Sequence, residues 1–207
     1  MSETFTPDNL FGGAVLPIPS SGETLELGQN RIRGTVLGKV KRIIGLAEAD
    51  RTNTGEGTIG SEALGPKSKI GTYHLTCIAA GPPAVFQVVD PDGIRLADAE
   101  AEVPYAGPIA FLVEAYGTAF ALDDAFTVEV EAGSGEVKLA DKDAVDGSED
   151  LYGILAEDTD ATAAAAACPV YLGGEFSEAA LTFAAGEDAD DYRDEGRLLG
   201  ILFRTNG

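Results

Sequence analysis

The chain has 207 residues, 44% hydrophobic and 24% charged, with 14 basic against 35 acidic side chains and a net charge of −21. That length holds one large domain or two small ones without staples. No apolar run reaches the ~20 residues a membrane helix needs, and so negative a surface repels phosphates, which excludes nucleic-acid binding by counterion release.

The opening Met-Ser-Glu-Thr-Phe-Thr-Pro-Asp lacks the basic and apolar regions of a secretory signal, so no export leader is expected. Residues 1–24 mix Pro7, Pro17 and Pro19 with Gly12, Gly13 and Gly22 around Leu10, Phe11, Ala14, Val15, Leu16 and Ile18. Proline at that density forbids a helix and disfavours a central strand, which predicts an extended arm. Leu25 and Leu27 then lead through a turn at 28–30 into a strand over 35–40. Arg31, Arg33, Lys39, Lys41 and Arg42 crowd this region and read as a solvated strand face or an edge guarded by charge.

From Arg51, "RTNTGEGTIGSEALGPKSKIG" has five glycines and little apolar content, which is linker composition. "TYHLTCIA" and "AVFQVVDPDGIRL" read as strands, the second broken by a turn at Asp90-Pro91-Asp92-Gly93. "PIAFLVEA" is another. "DAFTVEVEA" alternates cleanly, with Phe126, Val128 and Val130 on one face and Thr127, Glu129 and Glu131 on the other. A second linker-like stretch, "EAGSGEVKLADKDAVDGSEDL", follows. Two linkers bracketing short strands predict a small antiparallel β-sandwich at 52–131, inserted into a host domain formed by 25–51 and 132–207 behind the arm at 1–24.

The host resumes with a strand at "LYGILAED". In "AEDTDATAAAAACPVYLGGEF", Glu157, Asp158 and Asp160 precede five alanines. Alanine favours helix, but the run is too short to stand alone and Pro169 stops it, so residues 163–167 are expected to be loop. The carboxylates then order loop backbone amides rather than hold a cation. "EDADDYRDEGRLLGILFR" predicts a helix with acidic residues at its start and Arg193 and Arg197 toward its finish, ended by Gly200 before a last strand over 201–204.

Catalytic chemistry finds little to work with. His74 is the sole histidine and sits in an alternating strand, where a surface or hydrogen-bonded structural role is expected. No nucleophile elbow, zinc motif or phosphate loop is present. "DPDGIRLADAEAE" fails as a calcium loop because its glycine stands at position 4. No catalytic, metal or cofactor site is predicted, and Cys77 and Cys168 read as reduced, buried residues.

"GQNRIRGTVLGKV", followed by "GSEDLYGILAEDTDATAAAAACPVYLGGEFSEAALTF", resembles the tailed-bacteriophage head decoration proteins of the lambda type. The elements that carry the likeness are residues 33–38, 153–161 and 174–182, with a closing helix and the Gly200-Ile201 strand. The inserted strands are similar to an extra β-domain of some decoration proteins. The resemblance implies a mainly β, tulip-like host domain with one short C-terminal helix, no enzyme activity, and a homotrimer at threefold positions of the expanded head. Its partner would be the major capsid protein, clamped against internal DNA pressure, on the outer surface of a virion made in the host cytoplasm. Capsid contact is expected from Leu10, Phe11, Val15, Leu16, Ile18, Arg31 and Arg33, with the insertion turned outward and open to a host-surface contact. No nucleic-acid or membrane partner is expected. The alternative class is a carbohydrate- or surface-binding β module, against which stand 7% aromatic residues and no tryptophan.

Overall fold

The computed structural model describes residues 9–13 and 17–205. Strands β1 (Ile18–Leu25), β2 (Asn30–Arg31) and β3 (Val36–Lys39) come first. Next are β4 (Arg42–Ala49), β5 (Glu56–Leu64), β6 (Gly71–Ala79), β7 (Val85–Val89), β8 (Ala99–Glu100), β9 (Tyr105–Ala106), β10 (Ile109–Tyr116) and β11 (Ala125–Ala132). The chain closes with β12 (Val137–Leu139), β13 (Gly153–Leu155), β14 (Thr159–Asp160), β15 (Ala166–Ser177), helix α1 (Ala189–Leu199) and β16 (Ile201–Arg204). It is mainly β with one short C-terminal α-helix, as the sequence predicts. It divides into two compact units, the first Met1–Lys41 with Gly135–Gly207, the second Arg42–Ser134.

In the first unit the sheet order is β1-β12-β3-β13-β15-β16, and β1 also pairs with β15, so five strands curl into a closed ring with β16 outside it. Closure removes the edges that a short open sheet would expose. Leu25, Leu37, Val137, Leu155, Cys168 and Val170 fill one part of the core. Leu10, Val36, Ile154, Phe176, Tyr192, Ile201 and Phe203 fill another, against α1. The helix begins where expected. Asp188 accepts the Asp190 N–H at 2.8 Å and donates its own N–H to the Asp191 carboxylate at 2.9 Å, a reciprocal cap. It ends at Gly200, whose φ of 76° lies in the left-handed region that glycine adopts without penalty.

The second unit is a sandwich of a five-stranded sheet, β4-β11-β6-β7-β8, and a three-stranded one, β5-β10-β9. Phe86, Phe120 and Phe126 meet at its centre with ring centroids 5.1 to 5.8 Å apart. Two sequence readings need correction here. Residues 42–51, assigned to the host, form β4 and pair with β11, Ala47 against Val128 and Arg42 against Ala132, so this unit starts at Arg42 rather than at 52. The supposed linker from Arg51 contains β5, which pairs along β10 with Ile59 against Val113. Gly57 within it is a packing residue: a Cβ there would stand 2.8 Å from Cε1 of Phe120.

The alanine run is split, with Ala163 to Ala165 in loop and Ala166 and Ala167 already in β15. Cys77 and Cys168 are buried and unpaired, one in each unit.

Candidate functional site

Among the described residues, Phe11, Ile18, Arg31 and Arg33 lie on or beside one ribbon of the first unit. β1 runs antiparallel to β15, with Ile18 opposite Gly173, Pro19 opposite Tyr171 and Leu25 opposite Ala166. Beyond Leu25 the ribbon continues into a tip where β2 pairs with β14, Arg31 opposite Thr159. The tip is tied by the Gly28 N–H to the Ala161 carbonyl at 2.9 Å and by the Ala161 N–H to the Gln29 carbonyl at 2.8 Å.

Two of the three carboxylates ahead of the alanine run, Asp158 and Asp160, serve this tip. Asp158 accepts the Arg33 backbone N–H at 2.7 Å. Asp160 accepts the Thr162 hydroxyl at 2.6 Å and its N–H at 3.0 Å, and these bonds hold its carboxyl below the usual value. They order backbone, as expected of them. No group of three His, Cys, Asp or Glu side chains among the described residues is placed to hold a metal ion.

The arm residues divide. Leu10 is 2% exposed, and its carbonyl accepts the Ser177 N–H at 2.8 Å, while the Gly12 N–H reaches the Glu175 carbonyl at 2.9 Å. Phe11 bridges to Phe176, with its ring 5.5 Å from that of Tyr171 and 5.9 Å from that of Phe176. Residues 10–12 therefore extend the sheet beside the end of β15 and belong to the fold. Leu10 is packed into the core of the first unit, and withdrawing it would open a cavity. Val15 and Leu16 lie outside the described residues. Ile18, in contrast, is 62% exposed.

Arg33 lies over the Phe11 ring at 5.5 Å, a cation–π approach, and its Nε donates to the Ala156 carbonyl at 3.1 Å. Arg31 donates through Nε to Gln29 at 2.7 Å. Both arginines are half-buried and engaged in holding the tip.

Part of the ribbon lacks charge. Residues 9–22 and 161–174 contain no Asp, Glu, Lys, Arg or His, although 24% of the chain is charged, and the β1–β15 pairing sets Ile18, Pro19 and Ser20 against Gly173, Tyr171 and Val170. Ile18, Leu27 and Ile32 are each about 60% exposed along it, and Ala163, Ala164, Ala165 and Ala167 face solvent. Leu27 and the alanines read in the sequence only as strand and loop, and Ile32, set between Arg31 and Arg33, was not singled out; for the alanines the signal was the uncharged run 161–174. On a chain of net charge −21, this uncharged, partly apolar stretch is a place where a macromolecule would meet little like-charge repulsion or ion desolvation.

A family model for bacteriophage lambda head decoration protein D matches residues 3–197. The chain belongs to that family. Its members are structural proteins of the phage capsid, and this decoration protein is accordingly a virion component with a capsid partner. No curated protein sequence matches it. Two crystal structures of Xanthomonas campestris FlgL, in space groups C2 and H3, align at 19% identity and a TM-score of 0.33 over 53% and 52% of the chain. The decoration protein spans about a third of those FlgL chains (33% of each), and a likeness of that size carries no argument.

Proposed function

We propose that this decoration protein cements the expanded phage head from outside: it assembles as a homotrimer at threefold positions, bridges neighbouring major capsid proteins and stabilises the shell against internal DNA pressure. The observation that carries this reading is the uncharged stretch where Ile18–Ser20 pair with Val170–Gly173, continued by the exposed loop at 163–165, along which a protein partner meets no like charge. Ile18, Arg31 and Arg33 are the described residues assigned to the contact, with Val15 and Leu16 joining them from outside the described set. Leu10 and Phe11 act by holding the ribbon in place. Threefold presentation multiplies a modest single contact, since each later arm binds at the effective concentration set by the first.

Purified protein mixed with expanded shells tests the reading. Cryo-electron microscopy is expected to show saturated threefold sites, and decorated shells to survive heat or chelator that opens bare ones. Ile18→Glu puts a charge on the exposed ribbon while leaving the core alone, and is expected to weaken binding without changing the unfolding temperature. Shells that stay bare with the unaltered protein, or density at positions other than threefold ones, would overturn the reading.

A further inference from the structure

The second unit carries a polar hollow of about 470 Å3 on the solvent face of its five-stranded sheet. Strand register builds it. His74 lies opposite Thr127 and Thr127 opposite Glu48, so three side chains on adjacent strands form one row on one face. Two residues along, Thr76 lies opposite Ala125, and Asp50 completes a second row by donating its N–H to the Ala125 carbonyl at 2.9 Å. Ala125 is thus a small floor between longer neighbours, with Arg51 on the lining.

The floor is firmly held. Asn53 brackets Ala125, donating from Nδ2 to its carbonyl at 2.8 Å and accepting its N–H at 2.7 Å. The polar groups around it are spare. Among the described residues the side chains of Glu48, Arg51, His74, Thr76 and Thr127 have no hydrogen-bond or ion-pair partner, and Asp50 commits only Oδ1, to Thr52. Elsewhere in the unit Lys69 is taken by Asp90 and Asp92, and Arg95 by Asp98.

Two carboxylates, a guanidinium, an imidazole and two hydroxyls around a methyl floor complement a ligand with several closely spaced hydroxyl groups. Carboxylates accept from vicinal hydroxyls, while Arg51 and the threonines donate to their oxygens. The unit holds 14 acidic against 5 basic side chains, which repels an anionic ligand. Phe126 turns its ring into the core on the opposite face, so it offers no stacking ring to the hollow. We propose that this hollow binds a neutral saccharide unit through vicinal hydroxyl groups. Resting on hydrogen bonds alone, one site binds weakly; many copies facing a repeating glycan gain roughly 10²–10⁴ in avidity. The inference stands apart from the shell-binding role, and its test uses no shells.

The full 15N-labelled chain is titrated with methyl glucoside, mannoside and galactoside, and with glucuronate as the anionic comparison. The expected result is saturable amide shifts confined to residues 48–51, 74–76 and 125–127 with at least one neutral sugar, and weaker binding of glucuronate. Ala125→Leu fills the floor from the solvent side and is expected to abolish the shifts. Thr127→Val keeps the strand and is expected to weaken binding about tenfold, the size of one lost hydrogen bond, so the proposal stays testable if the leucine variant fails to fold. A sensor coated with the matching neutral polysaccharide separates a polymer ligand, which gains avidity when the protein is clustered, from a free sugar, which does not. The proposal is overturned by no shifts with any neutral sugar, by shifts elsewhere, by binding that survives both variants, or by preference for glucuronate.

Discussion

Asp124 offers a direct test of what holds the second unit together. Its carboxylate is 3% exposed and has no cationic partner among the described residues. Instead Oδ1 accepts the Thr54 N–H at 2.7 Å, and Oδ2 accepts the Gly55 N–H at 2.9 Å and the Ala121 N–H at 2.8 Å, so one side chain joins the 53–55 turn to the 120–124 turn. Asp124→Asn keeps the shape but not the acceptors. In its best orientation the amide oxygen serves Gly55 and Ala121 while Nδ2 confronts the Thr54 N–H. One charge-assisted bond is lost at ~1.5–3 kcal/mol, and two others lose their charge assistance at about 0.5–1 kcal/mol each, giving about 2.5–5 kcal/mol in total. Urea unfolding at pH 7, with hydrogen exchange followed at 53–58 and 118–126, measures it. The sign with pH is fixed as well. Burial works against ionisation of Asp124, but the three N–H groups outweigh it and hold the carboxyl below its ordinary value. Its contribution is therefore complete above the unfolded pKa of about 4 and is lost as pH falls through the folded pKa, so the gap between wild type and Asp124→Asn narrows in acid. A variant within about 1 kcal/mol of wild type, or a gap that widens as the pH falls, would refute the reasoning.

Three further outcomes are expected. Leu10→Ala destabilises the first unit by ~2–4 kcal/mol, as for a leucine truncated in a closed core; an unchanged thermal transition would show that residues 10–12 do not belong to the fold. Asp188→Ala removes the helix cap and costs ~1 kcal/mol, visible as faster amide exchange confined to 189–193. Burial pushes the thiols of Cys77 and Cys168 up, so neither reacts with a disulfide reagent until denaturant is added; a stoichiometric reaction in native buffer would contradict their placement.

The parts legible in the sequence were those whose determinants are local. Helix α1 announces itself because Asp188, Asp191 and Gly200 cap it within a dozen residues. β11 announces itself because Phe126, Val128 and Val130 alternate with polar neighbours. The illegible parts depend on distant residues. Gly57 resembles linker because the ring that fills its side-chain space belongs to Phe120, far along the chain. β4 resembles host strand because only its pairing with β11 assigns it elsewhere. Leu10, set among glycine and proline neighbours, gives no local sign that Ser177 and Phe176 receive it. For the uncharged stretch of β1 and β15 the useful local signal was a missing residue class rather than a present motif.

The crossing from β3 to β12 makes the insertion an exchangeable part. The Val40 N–H donates to the Glu136 carbonyl at 2.9 Å and the Gly135 N–H to the Val40 carbonyl at 3.0 Å, so the first unit ends its outgoing strand and begins its returning one as hydrogen-bonded neighbours. The second unit has the matching property, since Arg42 pairs with Ala132 at its own two ends. To the host, an entire domain occupies the place of a hairpin turn, and lengthening such a loop costs only ~0.6 kcal/mol per doubling. Any polypeptide whose termini emerge side by side, from a two-residue turn to an unrelated domain, fits the same socket. The first unit can thus keep its fold while what it carries is exchanged, which suits it to use as a display scaffold.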